Sequence, residues 1–265
     1  MSKTLQTIED QIIKDYGNIF ISADSLKETE GRIIPTTLSL DIALSGGIPE
    51  GVITLVGGVT LSGKTTLLLT VLATCQKMDK ICFYIDAEGR LHSSLLGCIK
   101  DLDQSKLTVI RSQPEAFLTA EAILNIIERL LKAYPGCAII LDSVAALCPD
   151  VSYNSVLGES KRMTAVPTLL YEFFRKIAGV VNASKSNLFL ITHLQNNPGG
   201  YGAALRDVGG NAQSFFSSIK LICMSSGETP KDSTPKVGRT SRFRIIKSVL
   251  GPPSSEGNFY IKYGT

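Results

Sequence analysis

The stretch from Leu55 to Leu68, LVGGVTLSGKTTLL, constrains the fold more than any other part of the chain. Gly58, Gly63, Lys64 and Thr65 fit the spacing G-x-x-x-x-G-K-[ST] of a phosphate-gripping loop, with Val59, Thr60, Leu61 and Ser62 inside it and Thr66 after it. The spacing has a mechanical reason. Glycines let the backbone wrap closely enough for successive N–H groups to face phosphate oxygens. A helix starting at the lysine adds its unpaired N–H groups and the positive end of its dipole. Lys64 would reach the β- and γ-phosphates, and the Thr65 hydroxyl would ligate Mg²⁺. The plainer reading is a glycine turn with a solvated lysine. The apolar run Val52 to Val56 before the turn and the helically spaced apolar residues after Thr65 argue against it.

Composition supports a packed α/β protein. Of 265 residues 44% are hydrophobic and 19% charged, enough apolar content for a sizeable core. Six cysteines, at 75, 82, 98, 137, 148 and 223, form no C-x-x-C pair and mostly sit in apolar runs, which predicts reduced core thiols. No secretory leader is apparent in MSKTLQTIEDQII, and no run reaches the ~18 apolar residues of a membrane span. Residues 1–132 carry 13 basic and 16 acidic side chains, residues 133–265 carry 14 and 8. A basic second half permits a polyanionic partner without requiring one.

Apolar strands alternate with amphipathic helices, which predicts a largely parallel sheet covered by helices on both faces. Leu5 to Asp15 has one apolar stripe, Leu5, Ile8, Ile12 and Ile13, and predicts a helix that docks outside its own core. Strands are expected at Ile81–Ile85, Leu107–Ile110, Cys137–Leu141 and Leu188–Thr192. Helices are expected at Lys64–Met78, Ser93–Lys100, Glu115–Ala133 and Thr168–Asn182. Ile219–Met224, Arg242–Val249 and Asn258–Tyr263 read as antiparallel additions at one edge, and Ser225 to Ser241 as the most linker-like stretch.

Chemistry in such sheets gathers beyond the carboxyl ends of the strands. Asp142 closes one strand and is placed to hold or orient Mg²⁺; its alternative role is a helix cap. Asp86 and Glu88 close another, where either carboxylate could orient the water that attacks a γ-phosphate, or simply be solvated. His193, with Thr192 and Gln195, ends a third, as a γ-phosphate sensor or a structural histidine. Lys247 ends a late strand beside Arg242 and Arg244. Two long loops remain, 151–165 with Lys161, Arg162 and Met163, and 196–210 with Asn196, Asn197, Gly199, Gly200, Arg206, Gly209 and Gly210, followed by Asn211. Glycine-rich backbone with scattered cations suits single-stranded nucleic acid.

These motifs together resemble the RecA recombinase family, bacterial RecA and its phage relatives of the UvsX type. The resemblance lies in TIEDQIIKDYGN, LSLDIAL, SGKTT, YIDAEG, SQPEA, LDSVAALCP, RKIAG and VGGNA, which follow in the family's order along nearly the whole chain. It implies a RecA-type ATPase core over 33–265, preceded by an N-terminal helix and linker, 1–32, that docks on a neighbouring protomer. Lys64, Thr65 and Asp142 match the ATP–Mg²⁺ groups and Glu88 the glutamate that activates water. His193 stands where bacterial members have glutamine and the UvsX branch histidine. The two long loops match the DNA-binding loops. Phe215 matches an aromatic at the subunit interface, and Lys247 a lysine that reaches the neighbouring subunit's ATP.

The implied function is an ATP-dependent recombinase that forms helical filaments on single-stranded DNA and promotes pairing and strand exchange with homologous duplex DNA. ATP and Mg²⁺ are the implied cofactors. Further copies of the chain are implied partners, with single-strand-binding or loader proteins as candidates, no membrane, and a cytoplasmic location in a bacterial or phage-infected cell. The chain departs from the family at Thr60, Leu61, Leu95, Val249 and Ser214, so hydrolysis rate and base selectivity are not carried over. It also stops at Thr265, where larger members continue into a small C-terminal domain. The alternatives are a RecA-related accessory protein that binds ATP and DNA with little hydrolysis, and a phosphate-loop ATPase that acts on no DNA.

Overall fold

Leucine, isoleucine and valine runs form the buried strands of this protein. The computed structural model describes residues 3–26, 30–156, 165–196, 205–228 and 237–263. Two units are compact in themselves, Met1–Gly31 and Arg32–Thr265. In the first, helix α1 (Lys3–Tyr16) ends where the Gly17 N–H donates to the Ile13 carbonyl at 2.8 Å. A 3-10 turn, Ala23–Ser25, follows and is capped by the Ser22 hydroxyl.

The second unit opens with a short antiparallel pair, β1 (Ile33–Ile34) and β2 (Ile48–Pro49), around helix α2 (Leu38–Ala43). Thr37 caps α2 by accepting the Leu40 N–H. The main sheet takes β3 (Ile53–Gly58), β4 (Cys82–Asp86), β5 (Leu107–Ile110), β6 (Ala138–Asp142), β7 (Asn187–Asn196), β8 (Leu205–Asp207), β9 (Ile219–Glu228), β10 (Gly238–Lys247) and β11 (Glu256–Lys262). Its order is β11-β10-β9-β3-β7-β6-β4-β5, with β8 paired to the end of β7. The six strands from β9 to β5 in that order are parallel; β8, β10 and β11 are antiparallel to their neighbours.

Helices cover both faces, and β6 shows how residue alternation serves them. Ala138 and Ile140 join the core beneath α3 (Lys64–Lys77), with Leu68 and Leu72. Ile139 and Leu141 join the opposite core beneath α5 (Ala120–Ala133) and α7 (Ala165–Ala183), with Ile127, Phe174 and Ile177. Each fully buried side chain of this size contributes about 1.5–3 kcal/mol relative to exposure. Covered on both sides, such strands read as unbroken apolar runs instead of alternating ones. The remaining helices are α4 (Ser93–Gly97), α6 (Asp150–Tyr153) and α8 (Ala212–Phe216).

Several expectations are corrected. The helix expected from Glu115 starts at Ala120, because Thr119 caps it and Gln113 and Ala116 exchange backbone hydrogen bonds across a turn built on Pro114. The helix expected at Ser93–Lys100 ends at Gly97, and α7 begins three residues before the expected Thr168, with Pro167 tolerated in its first turn. Ile219–Met224 is no antiparallel addition: β9 lies parallel to β3, Thr54 opposite Ile219 and Gly58 opposite Cys223. The two ends of the linker-like stretch 225–241 are strand, since β9 reaches Glu228 and β10 starts at Gly238, while residues 229–236 lie outside the described residues. The two long loops are shortened in the same way. Asp150–Tyr153 is helical, and Leu205–Asp207 returns as β8 against β7.

Strand direction also moves Lys247. β10 runs antiparallel to β9, so Lys247 pairs with Lys220, which is level with Leu55. It therefore lies toward the amino end of β3, not beyond the carboxyl ends with the phosphate loop. The start of β10, at Arg239, lies on the loop side instead.

Among the described residues all six cysteines are free. Burial pushes the Cys82 and Cys223 thiols up to about 12, as expected of inert core thiols. Cys98 is exposed and Cys148 half-buried. No described helix is long and apolar enough to cross a membrane.

Candidate nucleotide-binding site

β3 delivers the chain to the loop, and two glycines make the turn sterically feasible. A Cβ at Gly58 would stand 2.3 Å from the Cys223 carbonyl oxygen of β9. Gly63 has φ +88 and caps α3; a Cβ there would stand 2.3 Å from the Ile261 Cδ1 of β11. Between them Leu61 holds φ +60, a left-handed conformation costing a side chain of this kind about 1–2 kcal/mol. Lys64 is 6% exposed, and its ammonium donates to the Val59 carbonyl at 2.8 Å and the Gly58 carbonyl at 3.2 Å. Burial holds its pKa below the usual lysine value.

Asp142 meets Thr65 across the cleft. Its Oδ2 accepts from the Thr65 hydroxyl at 2.8 Å and from the Tyr84 hydroxyl at 2.6 Å. Burial raises the Asp142 pKa despite those two donors. A half-desolvated carboxylate beside a hydroxyl at the head of a phosphate loop is a fitting donor pair for Mg²⁺, which completes its shell with phosphate and water. The helix-cap reading of Asp142 is set aside, because its side chain is committed to Thr65 and Tyr84.

Asp86 and Glu88, equivalent in the sequence, separate in the structure. Asp86 folds into its own turn and accepts the Arg90 and Leu91 N–H groups at 3.0 and 3.1 Å. Glu88 faces the cleft. Its Oε1 accepts from the Ser143 hydroxyl at 2.5 Å and lies 2.9 Å from His193 Nε2, while Oε2 is 3.3 Å from Arg90. Burial works against its ionisation, but the Ser143 and His193 hydrogen bonds outweigh it and keep the carboxyl below its ordinary value. Thr60–Thr66, Tyr84, Asp86, Glu88, Asp142 and His193 line one cleft of about 290 Å³, which brings together the catalytic candidates and most of the loop, Gly58, Val59 and Lys247 standing outside its lining. Leu95 lines the same cleft, as does Arg239, which sequence reasoning did not single out.

His193 is wired onward through backbone. The Val208 N–H donates to the His193 carbonyl at 3.1 Å, and the Val208 carbonyl accepts from Gln213 Nε2 at 2.7 Å. Gln213, fully buried, opens helix α8, which ends with Phe215 and Phe216. Phe216 packs on Phe174, whereas Phe215 is 72% exposed. Lys247 Nζ donates to the Phe215 carbonyl at 2.9 Å, so the two interface candidates are neighbours.

Of the DNA-binding candidates, Gly209, Gly210 and Asn211 lead into α8, the glycines packing against Val144, Leu170 and Pro167. Asn196 and Arg206 lie in the backbone of β7 and β8. Lys161, Arg162, Met163, Asn197, Gly199 and Gly200 lie outside the described residues.

A family model described as the RecA N-terminal domain matches residues 2–265. A protein named Protein RecA from Nitratidesulfovibrio vulgaris is 33% identical over 269 residues, spanning all of this chain and 72% of its own length. Namesakes from Helicobacter hepaticus and Symbiobacterium thermophilum are each 33% identical, over 270 and 262 residues, and are matched over 75% and 72% of their own lengths.

Proposed function

Because this chain belongs to the RecA family, we propose that it is a DNA-dependent ATPase that polymerises on single-stranded DNA and promotes homologous pairing and strand exchange. One observation carries the reading. Glu88, facing a phosphate loop, is hydrogen-bonded to a histidine whose own backbone holds the returning end of the second long loop.

Lys64 exchanges its loop carbonyls for the β- and γ-phosphates, while Thr65 and Asp142 hold Mg²⁺. The metal, when bound, neutralises charge developing on the phosphate oxygens. Glu88 orients the attacking water and takes its proton once Ser143 and His193 yield the carboxylate. His193 turns from Glu88 to the γ-phosphate, and Val208 and Gln213 carry that movement to α8 and the 196–210 loop.

Assembly is head to tail. Lys247 and Phe215 lie together away from the phosphate loop, and Val249 and Leu250 beyond them are exposed. Gly251 fits against the backbone of Ala43 and Leu44, and Leu38 and Ile42 of α2 are exposed as well. A surface of this kind that meets a different surface on the next copy builds an open helix. The α1 stripe docks on the adjacent protomer in the same filament.

The test is ATP hydrolysis with and without single-stranded DNA, joined to strand exchange between homologous DNAs. DNA-stimulated turnover with exchange supports the proposal. ATP and DNA binding without turnover favours the accessory reading, for which the engagement of Glu88 by Ser143 and His193 is the specific support.

A further inference from the structure

We propose that Arg239 binds the phosphate chain of the nucleotide from the flank of the loop opposite Glu88, an assignment that rests on the nucleotide reading above. Two contacts fix where it stands. Ser241, two residues on and on the same side of β10, donates through its hydroxyl to the Ser62 carbonyl at 2.6 Å, both residues being fully buried. Ile261, the cross-strand partner of Arg239 on β11, is the side chain that closes over Gly63. The start of β10 is thereby fastened over the phosphate loop, and Arg239 lines the cleft with Thr60–Thr66.

Its chemistry calls for an anion. Arg239 Nε is buried and has no hydrogen-bond partner, which is unusual for an enclosed donor. The carboxylates of the cleft are engaged elsewhere: Asp142 by Thr65 and Tyr84, Glu88 by Ser143 and His193, Asp86 by its own turn. After burial, which dominates, Arg239 is a neighbour that further disfavours the protonated form of Lys64. Lys64 and Arg239 thus share one cleft with Arg90, which pairs with Glu88, and a polyphosphate satisfies the first two. Guanidinium presents a planar fork to two phosphate oxygens, which a solvated surface arginine would leave in water.

The test titrates the full-length chain with a fluorescent ADP analogue and with ATP at several salt concentrations, in wild type, Arg239→Ala, Arg239→Lys and Lys64→Ala. Arg239→Ala is expected to weaken ADP and ATP binding alike by about tenfold, the size of one lost charged hydrogen bond. It should also make affinity less sensitive to salt, and Arg239→Lys should recover part of both losses. Unchanged affinity in Arg239→Ala, with binding lost in Lys64→Ala, overturns this assignment alone. Weaker binding with unaltered salt sensitivity overturns it too, since that marks lost packing or a base contact. Failure of the wild type to bind ADP overturns the nucleotide reading and this assignment with it.

Discussion

Glu88 is held in a state that suits storage better than catalysis. A carboxylate kept acidic by Ser143 and His193 is a weak base, because proton transfer is most effective when the base titrates near the working pH. If Glu88 is the base proposed above, nucleotide binding has to loosen those contacts before it acts. Glu88→Gln should lower turnover by a factor of about 10² to 10⁴ while leaving ATP-dependent DNA binding in place. Steady-state hydrolysis and DNA binding on the same preparation check this, and unchanged turnover would reassign the base. Lys64 is less replaceable. Lys64→Ala removes the one ammonium seated on the loop carbonyls and should abolish nucleotide-dependent assembly, read by sedimentation; normal filaments would sink the nucleotide assignment.

On the proposed function, helix α8 is the element that carries the site's state to the rest of the protein. It is five residues long, too short to be stable by itself, and is held by Gln213 at one end and Phe216 on Phe174 at the other. Phe215, projecting from it, should matter for coupling and little for folding. Phe215→Ala is expected to reduce the ATP-induced gain in DNA affinity with no loss of thermal stability; anisotropy titrations with and without ATP decide, and an intact gain refutes the interface role. At this scale the limits of sequence reading become physical. The phosphate loop was legible because its eight-residue span carries the whole mechanism locally. Asp86 and Glu88 could not be told apart, since their difference is a turn that points one inward to backbone N–H groups. The Glu88–His193 contact joins residues 105 positions apart and leaves no local trace. Arg239 was missed because it falls in the stretch 225–241 that reads as a linker, and Lys247 was misplaced because β9 lies parallel to β3 and so sets the direction of β10, which residue alternation does not encode.

The second unit as a whole is fastened at the end of the sheet remote from the nucleotide by a buried charge cluster. Glu50, 6% exposed in its side chain, accepts from buried Lys80 at 2.9 Å and from the Arg32 guanidinium at 2.9 Å. Burial opposes its ionisation, but the Arg32 and Lys80 hydrogen bonds outweigh it and lower its pKa from 4.5. Between the lowered value and 4.5 the unfolded chain binds more protons than the folded one, so this stabilisation is full above 4.5 and lost as pH falls through the folded value. Glu50→Gln keeps an amide oxygen and the Lys185 carbonyl as acceptors but removes the charge that balances buried Lys80, and should cost about 3–5 kcal/mol at neutral pH. Urea unfolding at pH 7 and at pH 4 tests both claims. The variant should lose part of the acid sensitivity, and equal pH dependence in the two proteins would refute the linkage. For the assembled state, electron microscopy with single-stranded DNA should show helical filaments that require ATP; particles that stay single in every nucleotide condition would end the recombinase reading.

β11 rests its Ile261 and Phe259 side chains on Gly63, with no room there for even one methyl group. The edge of the sheet thus presses on the turn proposed to hold the triphosphate. On the proposed function, a neighbouring copy that pushed on that edge would press on the same turn.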